Sequence, residues 1–107
     1  MAGVKYYVVL VTSPNRLTSE KLSKGLVEKK LAACVNRVSG LSSRYWWKGK
    51  IETSKEELLM IKTVKSKLPV LTRWVKAHHP YAVCEVLVLP VLGGNRDYLN
   101  WIDQSLR

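Results

Sequence analysis

The stretch RYWWKGKIETSKEELLMIKT, residues 44–63, decides the fold class because it encodes a long β-hairpin. Aromatic and β-branched residues favour strands on both sides of Lys48-Gly49-Lys50, a short polar segment whose glycine favours a tight turn. Upstream, residues 32–38 also have strand character, and Ser39-Gly40 predicts a bulge or bend before the hairpin continues. The predicted hairpin is therefore longer than a single small sheet needs.

A strand and a helix precede this hairpin, and a helix and a strand follow it. Residues 4–12 are apolar and rich in β-branched side chains, and residues 16–30 have helical spacing of their apolar positions. Downstream, Ser66 is predicted to cap a second helix that ends at His79-Pro80. Residues 83–89 are dense in apolar side chains, which predicts a central fourth strand.

The order β-α-β-β-α-β predicts an α+β ferredoxin-like sandwich in one domain, residues 1–107, with both crossover helices on one face of the sheet. Asn95 is predicted to cap an additional C-terminal helix. Because the strands carry apolar residues on both sides, the sheet face without crossover helices would expose a large apolar patch in a monomer. The pattern therefore predicts an oligomer.

The charge of the chain is strongly positive, with 18 Lys and Arg against 8 Asp and Glu, a net charge of +10. Such a balance is compatible with nucleic acid, an acidic membrane surface or an anionic ligand as partner. The basic residues are spread evenly along the sequence, however, and form no arm or cluster. An ordinary solvated surface is the favoured interpretation, and nucleic-acid binding is disfavoured.

Cys34 and Cys84 lie inside apolar runs, which favours small core residues over a disulfide framework and indicates a reducing compartment. Residues 1–5 show no basic segment leading into an apolar core, and no apolar run reaches the length of a membrane span. We therefore expect a cytoplasmic protein without a membrane segment.

His78 and His79 form the most suggestive pair for chemistry, because imidazole binds borderline metals well and the end of a helix is accessible. Adjacent histidines point about 100° apart on a helix, so they do not chelate a metal without further ligands. The alternative is that one histidine packs or caps the helix.

Glu85 lies alone in an apolar segment, where a carboxylate has to be paired, coordinated or placed at an interface. It is a third candidate metal ligand, and a structural salt bridge is the alternative.

Tyr45-Trp46-Trp47, flanked by Arg44 and Lys48, could stack on bases as in RNA-binding sandwiches of the same topology. Core or subunit-interface packing is favoured, because those RNA-binding modules carry their aromatic residues on the first and third strands. The sequence contains no phosphate-binding glycine loop, zinc spacing or Ser/His/Asp arrangement, so we expect a protein that is not an enzyme and requires no cofactor.

These segments together resemble the CutA family of divalent-cation tolerance proteins. The resemblance covers most of residues 7–102 in order, and its matching stretches are VLVTSPN (9–15), EKKLAACVN (28–36), YWWKGKI (45–51), HPY (79–81) with Glu85, and YLNWI (98–102). It implies a ferredoxin-like subunit in a tight homotrimer, with the long hairpin pairing its edge strands across subunits. It also implies a link to tolerance of copper and other divalent ions.

For the metal site, the resemblance implies a cysteine at the end of the first strand together with the pair that matches His78 and His79. The cysteine position is Val11 here, so this implied ligand is missing. The proline that commonly precedes the acidic residue of the fourth strand is replaced by Cys84.

Three hypotheses follow. The first is a cytoplasmic homotrimer that binds Cu(II) or another divalent metal weakly through His78, His79 and Glu85. The second is a signalling or scaffold trimer that binds a small anion or a partner protein at inter-subunit clefts. The third is a basic sandwich that binds RNA, which the even spread of charge disfavours.

Overall fold

A computed structural model describes residues 3–107, so Met1 and Ala2, within the segment inspected for a leader, lie outside the described residues. The strands are β1 Tyr6–Ser13, β2 Cys34–Trp47, β3 Lys50–Val64 and β4 Leu87–Pro90, and the helices are α1 Arg16–Glu28, α2 Leu68–His78 and α3 Arg96–Ser105. The strands form one antiparallel sheet with the order β2-β3-β1-β4. The predicted βαββαβ order with a C-terminal helix is confirmed.

The hairpin of β2 and β3 is the longest feature of the molecule, with strands of 14 and 15 residues. Its turn places Lys48 and Gly49 at φ values of 50° and 79°, as two-residue hairpin turns require. The register shifts between Val38 and Leu41, where Gly40 has a φ of 83°. The predicted bulge is therefore confirmed, and glycine suits it because that backbone conformation is strained for other residues.

The hydrophobic core lies between the sheet and the two crossover helices. Val9, Val11, Leu59 and Ile61 of the sheet are fully buried, and they pack against apolar residues of α1 and α2. The close packing of the two helices depends on Gly25, because a Cβ there would collide with the indole of Trp74. We call this side of the sheet the covered face.

The opposite side, here the open face, is covered only in part. Ile102 of α3 and Leu106, the residue directly after this helix, pack on Val64 at one end of the sheet. Farther along β3, Leu58 and Met60 alternate with the core residues and remain only half-buried. The expectation of an incompletely covered apolar face therefore holds for the isolated chain.

Two predictions about elements were wrong. The fourth strand has four exposed residues at the sheet edge, pairing with β1, whereas the sequence predicted a central strand over residues 83–89. Cys84 and Val86 lie in an irregular segment before β4 and pack on the core. Their apolar character therefore reflects this packing and does not indicate a strand. Ser66 does not cap α2, because it lies inside a 3₁₀ turn, Lys65–Lys67, and α2 begins after it with no side-chain cap.

Element ends differ slightly from the predictions. The first strand begins at Tyr6, and α1 ends at Glu28 because Lys30 adopts a positive φ of 55° that terminates the helix. Asn95 caps α3 as predicted, accepting a hydrogen bond from the Asp97 amide at 3.0 Å. Among the described residues, no helix is both long and apolar enough to cross a membrane.

Candidate functional site

His79 follows α2 directly and is 8% exposed. Its Nδ1 accepts a hydrogen bond from the Tyr81 amide at 3.1 Å, and its Nε2 lies 2.7 Å from the carbonyl oxygen of Thr12. Because Nδ1 accepts, the neutral ring carries its proton on Nε2 and donates it to that carbonyl. Both ring nitrogens are thus engaged, and they tie the end of α2 to the end of β1.

His78, the last residue of α2, has a different environment because its side chain is exposed. Its Nδ1 donates to the Trp74 carbonyl oxygen at 2.8 Å, and its ring stacks on the Trp74 indole with a centroid separation of 4.2 Å. Nε2 of the neutral ring therefore keeps its lone pair. Metal-binding histidines commonly show this arrangement, with one ring nitrogen held by a carbonyl and the other left to coordinate.

Glu85 lies in the irregular segment before β4 and is half-buried. Burial raises the pKa of its carboxyl group above the ordinary value, and the negative charge of Glu56 raises it further. Within residues 3–107 no ion pair involves Glu85, so the structure does not provide the salt bridge considered as its alternative role.

The structure does not gather the three predicted ligands into one chelate. Across the described part of the chain, no three side chains of His, Cys, Asp or Glu form a group that could hold a metal ion. His79 is engaged at both ring nitrogens, Glu85 lines a cavity, and His78 alone combines an exposed imidazole with an oriented ring. Metal binding by His78, His79 and Glu85 stays a prediction.

The positions related to cysteine chemistry differ in their environments. Val11, which occupies the position of the implied family cysteine, is fully buried in the core. Cys34 and Cys84 are both free thiols. Cys84 packs partly against the core, as predicted for a small core residue, and it also lines the cavity that contains Glu85.

This cavity, of about 700 Å³, lies where the distal half of the hairpin meets the segment that follows α2. One of its lining residues is Glu56, which is only 8% exposed and whose Oε2 accepts a hydrogen bond from the Tyr81 hydroxyl at 3.2 Å. Burial, followed by the charge of Glu56, raises the pKa of Tyr81 to about 12. The hydroxyl is therefore a stable donor at neutral pH.

Sequence reasoning missed Glu56 and Tyr81 as members of a common site. A signal was present, because Glu56-Glu57 places two carboxylates on opposite faces immediately before the apolar part of β3. Glu57, on the covered face, forms a bidentate ion pair with Arg37, with N···O distances of 2.7 and 2.9 Å. The chain thus provides a cation for one of these carboxylates.

The aromatic run of β2 lines the same cavity through Tyr45, Trp46 and Trp47, together with Arg44. Trp46 is 72% exposed, and the other two are also exposed, so these residues are not core residues of the isolated chain. The cavity contains the carboxylates of Glu56 and Glu85 as well, and these oppose binding of the small anion considered in the second hypothesis.

Comparison with known proteins gives a consistent result. Residues 7–105 match the family model described as CutA1 divalent ion tolerance protein. The chain is 52% identical over 100 residues to Protein CutA 1, chloroplastic, of Oryza sativa subsp. japonica, covering 94% of this chain and 56% of that protein. It is 46% identical over 98 residues to the divalent-cation tolerance protein CutA of Thermus thermophilus, covering 92% and 95%. The chain thus spans little more than half of the rice relative.

Solved structures show the same fold. The crystal structure of CutA1 from Oryza sativa superposes with a TM-score of 0.93 at 51% identity, covering 97% of this chain and 95% of that chain. The structure of the divalent cation tolerance protein from Thermus thermophilus also gives a TM-score of 0.93, at 44% identity, with 95% and 99% covered.

Proposed function

Since this chain belongs to the CutA1 family of divalent ion tolerance proteins, we propose that it is a non-enzymatic homotrimer that responds to divalent metal ions and binds copper(II) at the end of α2. The observation that carries the proposal is the His78 ring. Its Nδ1 is fixed by the Trp74 carbonyl, while Nε2 has no hydrogen-bond partner within residues 3–107.

Within the predicted set of ligands, His78 is the primary one. Imidazole nitrogen suits Cu(II), and the stack on Trp74 restricts the ring to one orientation before the metal arrives. His79 holds the helix end in place through its bonds to Thr12 and Tyr81, and Glu85 adds negative charge nearby in sequence. A site with one preorganised imidazole is expected to bind weakly, with water completing the coordination.

The homotrimer is supported by the surface that the isolated chain leaves open. The open face exposes half-buried apolar residues of β1 and β3, and the distal hairpin exposes Trp46 and Ile51. Pairing of the long hairpin with neighbouring copies would cover both regions and satisfy the backbone groups of the edge strands.

Copper binding is tested by calorimetric titration of metal-free protein with Cu(II). We expect saturable binding that weakens about tenfold or more in His78→Ala and in the His78→Ala/His79→Ala double variant. Lys76→Ala is the matched control, because Lys76 is an exposed side chain on the same turn of α2. Absence of binding, or equal binding by His78→Ala and the control, would contradict the metal site.

The assembly is tested separately by multi-angle light scattering at micromolar concentration. A homotrimer has three times the chain mass of 12.2 kDa. A species of 12.2 kDa would refute the trimer without affecting the interpretation of the copper titration.

The proposal includes a cytoplasmic location, which the two free thiols, Cys34 and Cys84, support because disulfides are rare in reducing compartments. Relatives carry names with other locations, chloroplastic in rice and periplasmic in Archaeoglobus fulgidus. Cell fractionation of the tagged full-length protein tests the location, and enrichment outside the cytoplasm would contradict it.

A further inference from the structure

The two crossover helices carry most of the net positive charge of the chain. Residues 16–30 and 65–77, here the helix layer, contain nine Lys and Arg against two Glu, which gives +7 of the net charge of +10. The helices pack side by side where Gly25 meets the indole of Trp74. Basic residues that are spread evenly along the sequence are therefore concentrated on one part of the folded surface.

The basic side chains of the helix layer lie on its outer side. The buried positions of α1 and α2 face the sheet and are Ser19, Leu22, Leu26, Leu71 and Val75. Lys21, Arg73 and Lys76 are exposed, and the helical period places them on the opposite half of each helix. Because the proposed trimer buries the open face and the hairpin, on the other side of the sheet, the helix layer stays accessible in the assembly.

Most of this charge has no partner within the layer. Its two glutamates form i,i+4 pairs inside α1, Arg16–Glu20 at 3.2 Å and Lys24–Glu28 at 4.0 Å. Seven basic side chains of the layer remain, and no ion pair within residues 3–107 involves any of them. Residues 65–77 contain no Asp or Glu at all. The surface therefore complements an extended anion.

Exposed aliphatic side chains lie among these charges and indicate which anion fits. Leu17, in the first turn of α1, is 81% exposed, and Val70, in the first turn of α2, is 45% exposed. The phosphates of a nucleic acid make no favourable contact with such side chains. An anionic bilayer offers charged headgroups and hydrocarbon together, so the combination favours lipid.

We propose that the helix layer binds the surface of a membrane rich in anionic phospholipid. Its basic side chains contact the headgroups, and Leu17 lies where the headgroups meet the acyl chains. This binding is peripheral, so it requires no helix that crosses the bilayer. It goes beyond the proposed response to divalent metal ions, because none of the residues it uses is a candidate copper ligand.

The test is cosedimentation of the metal-free full chain with extruded vesicles in buffer containing EDTA. Vesicles of phosphatidylcholine with about 30% phosphatidylserine are compared with vesicles of phosphatidylcholine alone at about 0.1 M NaCl. We expect binding to the anionic vesicles and about tenfold weaker binding, or none, to the neutral vesicles. Raising the salt to about 0.5 M is expected to release most of the bound protein, because the headgroup charge is screened.

A triple variant locates the charges. Lys21→Gln/Arg73→Gln/Lys76→Gln removes three basic groups from the outer side of the helix layer and is expected to weaken binding to the anionic vesicles about tenfold or more. All three side chains are exposed, so the fold is expected to persist, and circular dichroism checks it.

The matched control lowers the net charge by the same three units at exposed positions outside the helix layer. It is Lys50→Gln/Lys55→Gln/Arg96→Gln, and it is expected to retain the vesicle affinity of the wild type. Light scattering confirms that both triple variants have the same mass as the wild type. A loss of affinity equal to that of the helix-layer variant would mean that net charge alone drives the binding, which would overturn the proposal.

Leu17→Ser separates a lipid surface from other polyanions, because it removes an exposed aliphatic side chain and leaves the charge unchanged. We expect it to weaken vesicle binding about threefold. Unchanged vesicle binding by this variant, or equal binding of the wild type to neutral and anionic vesicles, would contradict the proposal. No binding to the anionic vesicles would also overturn it, and binding of a DNA duplex of about 20 base pairs in the same buffer would then assign the helix layer to nucleic acid.

Discussion

The two faces of β3 differ in how far the chain itself buries their apolar side chains and pairs their charges. On the covered face, Leu59 is fully buried under the helices and Glu57 has its cation in Arg37. On the open face, one residue away in each case, Leu58 is only half-buried and Glu56 has no cation among the described residues. The chain therefore completes the packing and charge pairing of the covered face, whereas it leaves both incomplete on the described part of the open face.

The largest expected effect contrasts Leu59 with Leu58. Leu59→Ala leaves a cavity in a close-packed core and is expected to lower the free energy of unfolding by about 3 kcal/mol, measured by urea denaturation. Leu58→Ala is expected to cost less at low protein concentration and to gain a concentration dependence when the open face is in an interface. Equal losses of unfolding free energy in Leu59→Ala and Leu58→Ala at every protein concentration would contradict the difference between the two faces.

The next contrast is between the adjacent histidines. His79→Ala removes two buried hydrogen bonds and strands the Thr12 carbonyl, so a loss of about 2 kcal/mol is expected. His78→Ala removes an exposed ring and is expected to change stability by about 0.5 kcal/mol, measured by the same denaturation. If His78→Ala lost more stability than His79→Ala, His78 and not His79 would be the histidine that stabilises the fold.

Acid titration tests the ion pair between Arg37 and Glu57 on the covered face. Hydrogen bonding to Arg37, with a smaller contribution from Ser19, holds the pKa of Glu57 below its ordinary value. The stabilisation is therefore complete above the unfolded-state pKa of about 4.3 and is lost as pH falls through the lower folded-state pKa. Urea unfolding of the wild type and Arg37→Gln should converge between about pH 5 and pH 2. A gap that stays constant would argue against this pair as its source.

The smallest expected effect on stability concerns Glu85, whose ionisation destabilises the fold, whereas the ionisation of Glu57 stabilises it. Because burial and Glu56 raise the pKa of Glu85, its ionisation opposes folding once pH exceeds the ordinary carboxyl value, and the penalty is complete above the folded-state pKa. Glu85→Gln is therefore expected to stabilise the chain slightly at pH 7, within about 0.5 kcal/mol, and not at pH 3. Thermal melts at both pH values measure this, and destabilisation at pH 7 would contradict it.

Much of the fold was predictable because its signals are local. The turn at Lys48-Gly49 and the bulge at Gly40 depend on positive φ values that glycine favours. The Asn95 cap depends on a side-chain oxygen that only a few residue types provide, so the sequence identifies all three. The position of the fourth strand was predicted wrongly, because a high density of apolar residues indicates contact with the core but not the place of a strand in the sheet. Cys84 makes such contact from an irregular segment.

The candidate site was less predictable because its members depend on tertiary proximity. Sequence reasoning selected His79 for its chemistry, but its engagement with Thr12, 67 residues away in sequence, is a property of the folded chain. In the sequence, Glu56 and Glu57 are equivalent strand carboxylates, and folding brings Arg37 to Glu57. Only the three-dimensional arrangement distinguishes these two glutamates.

The length of the hairpin has a consequence for backbone dynamics. β1 pairs with β3 from Glu57 to Val64, so residues 41–56 of the hairpin are hydrogen-bonded within a two-stranded ribbon. Such a ribbon is marginally stable in water. Its amide hydrogens are expected to exchange with deuterium quickly in a dissociated chain and slowly where neighbouring copies cover the ribbon. The exchange rate at the hairpin tip therefore reports the oligomeric state.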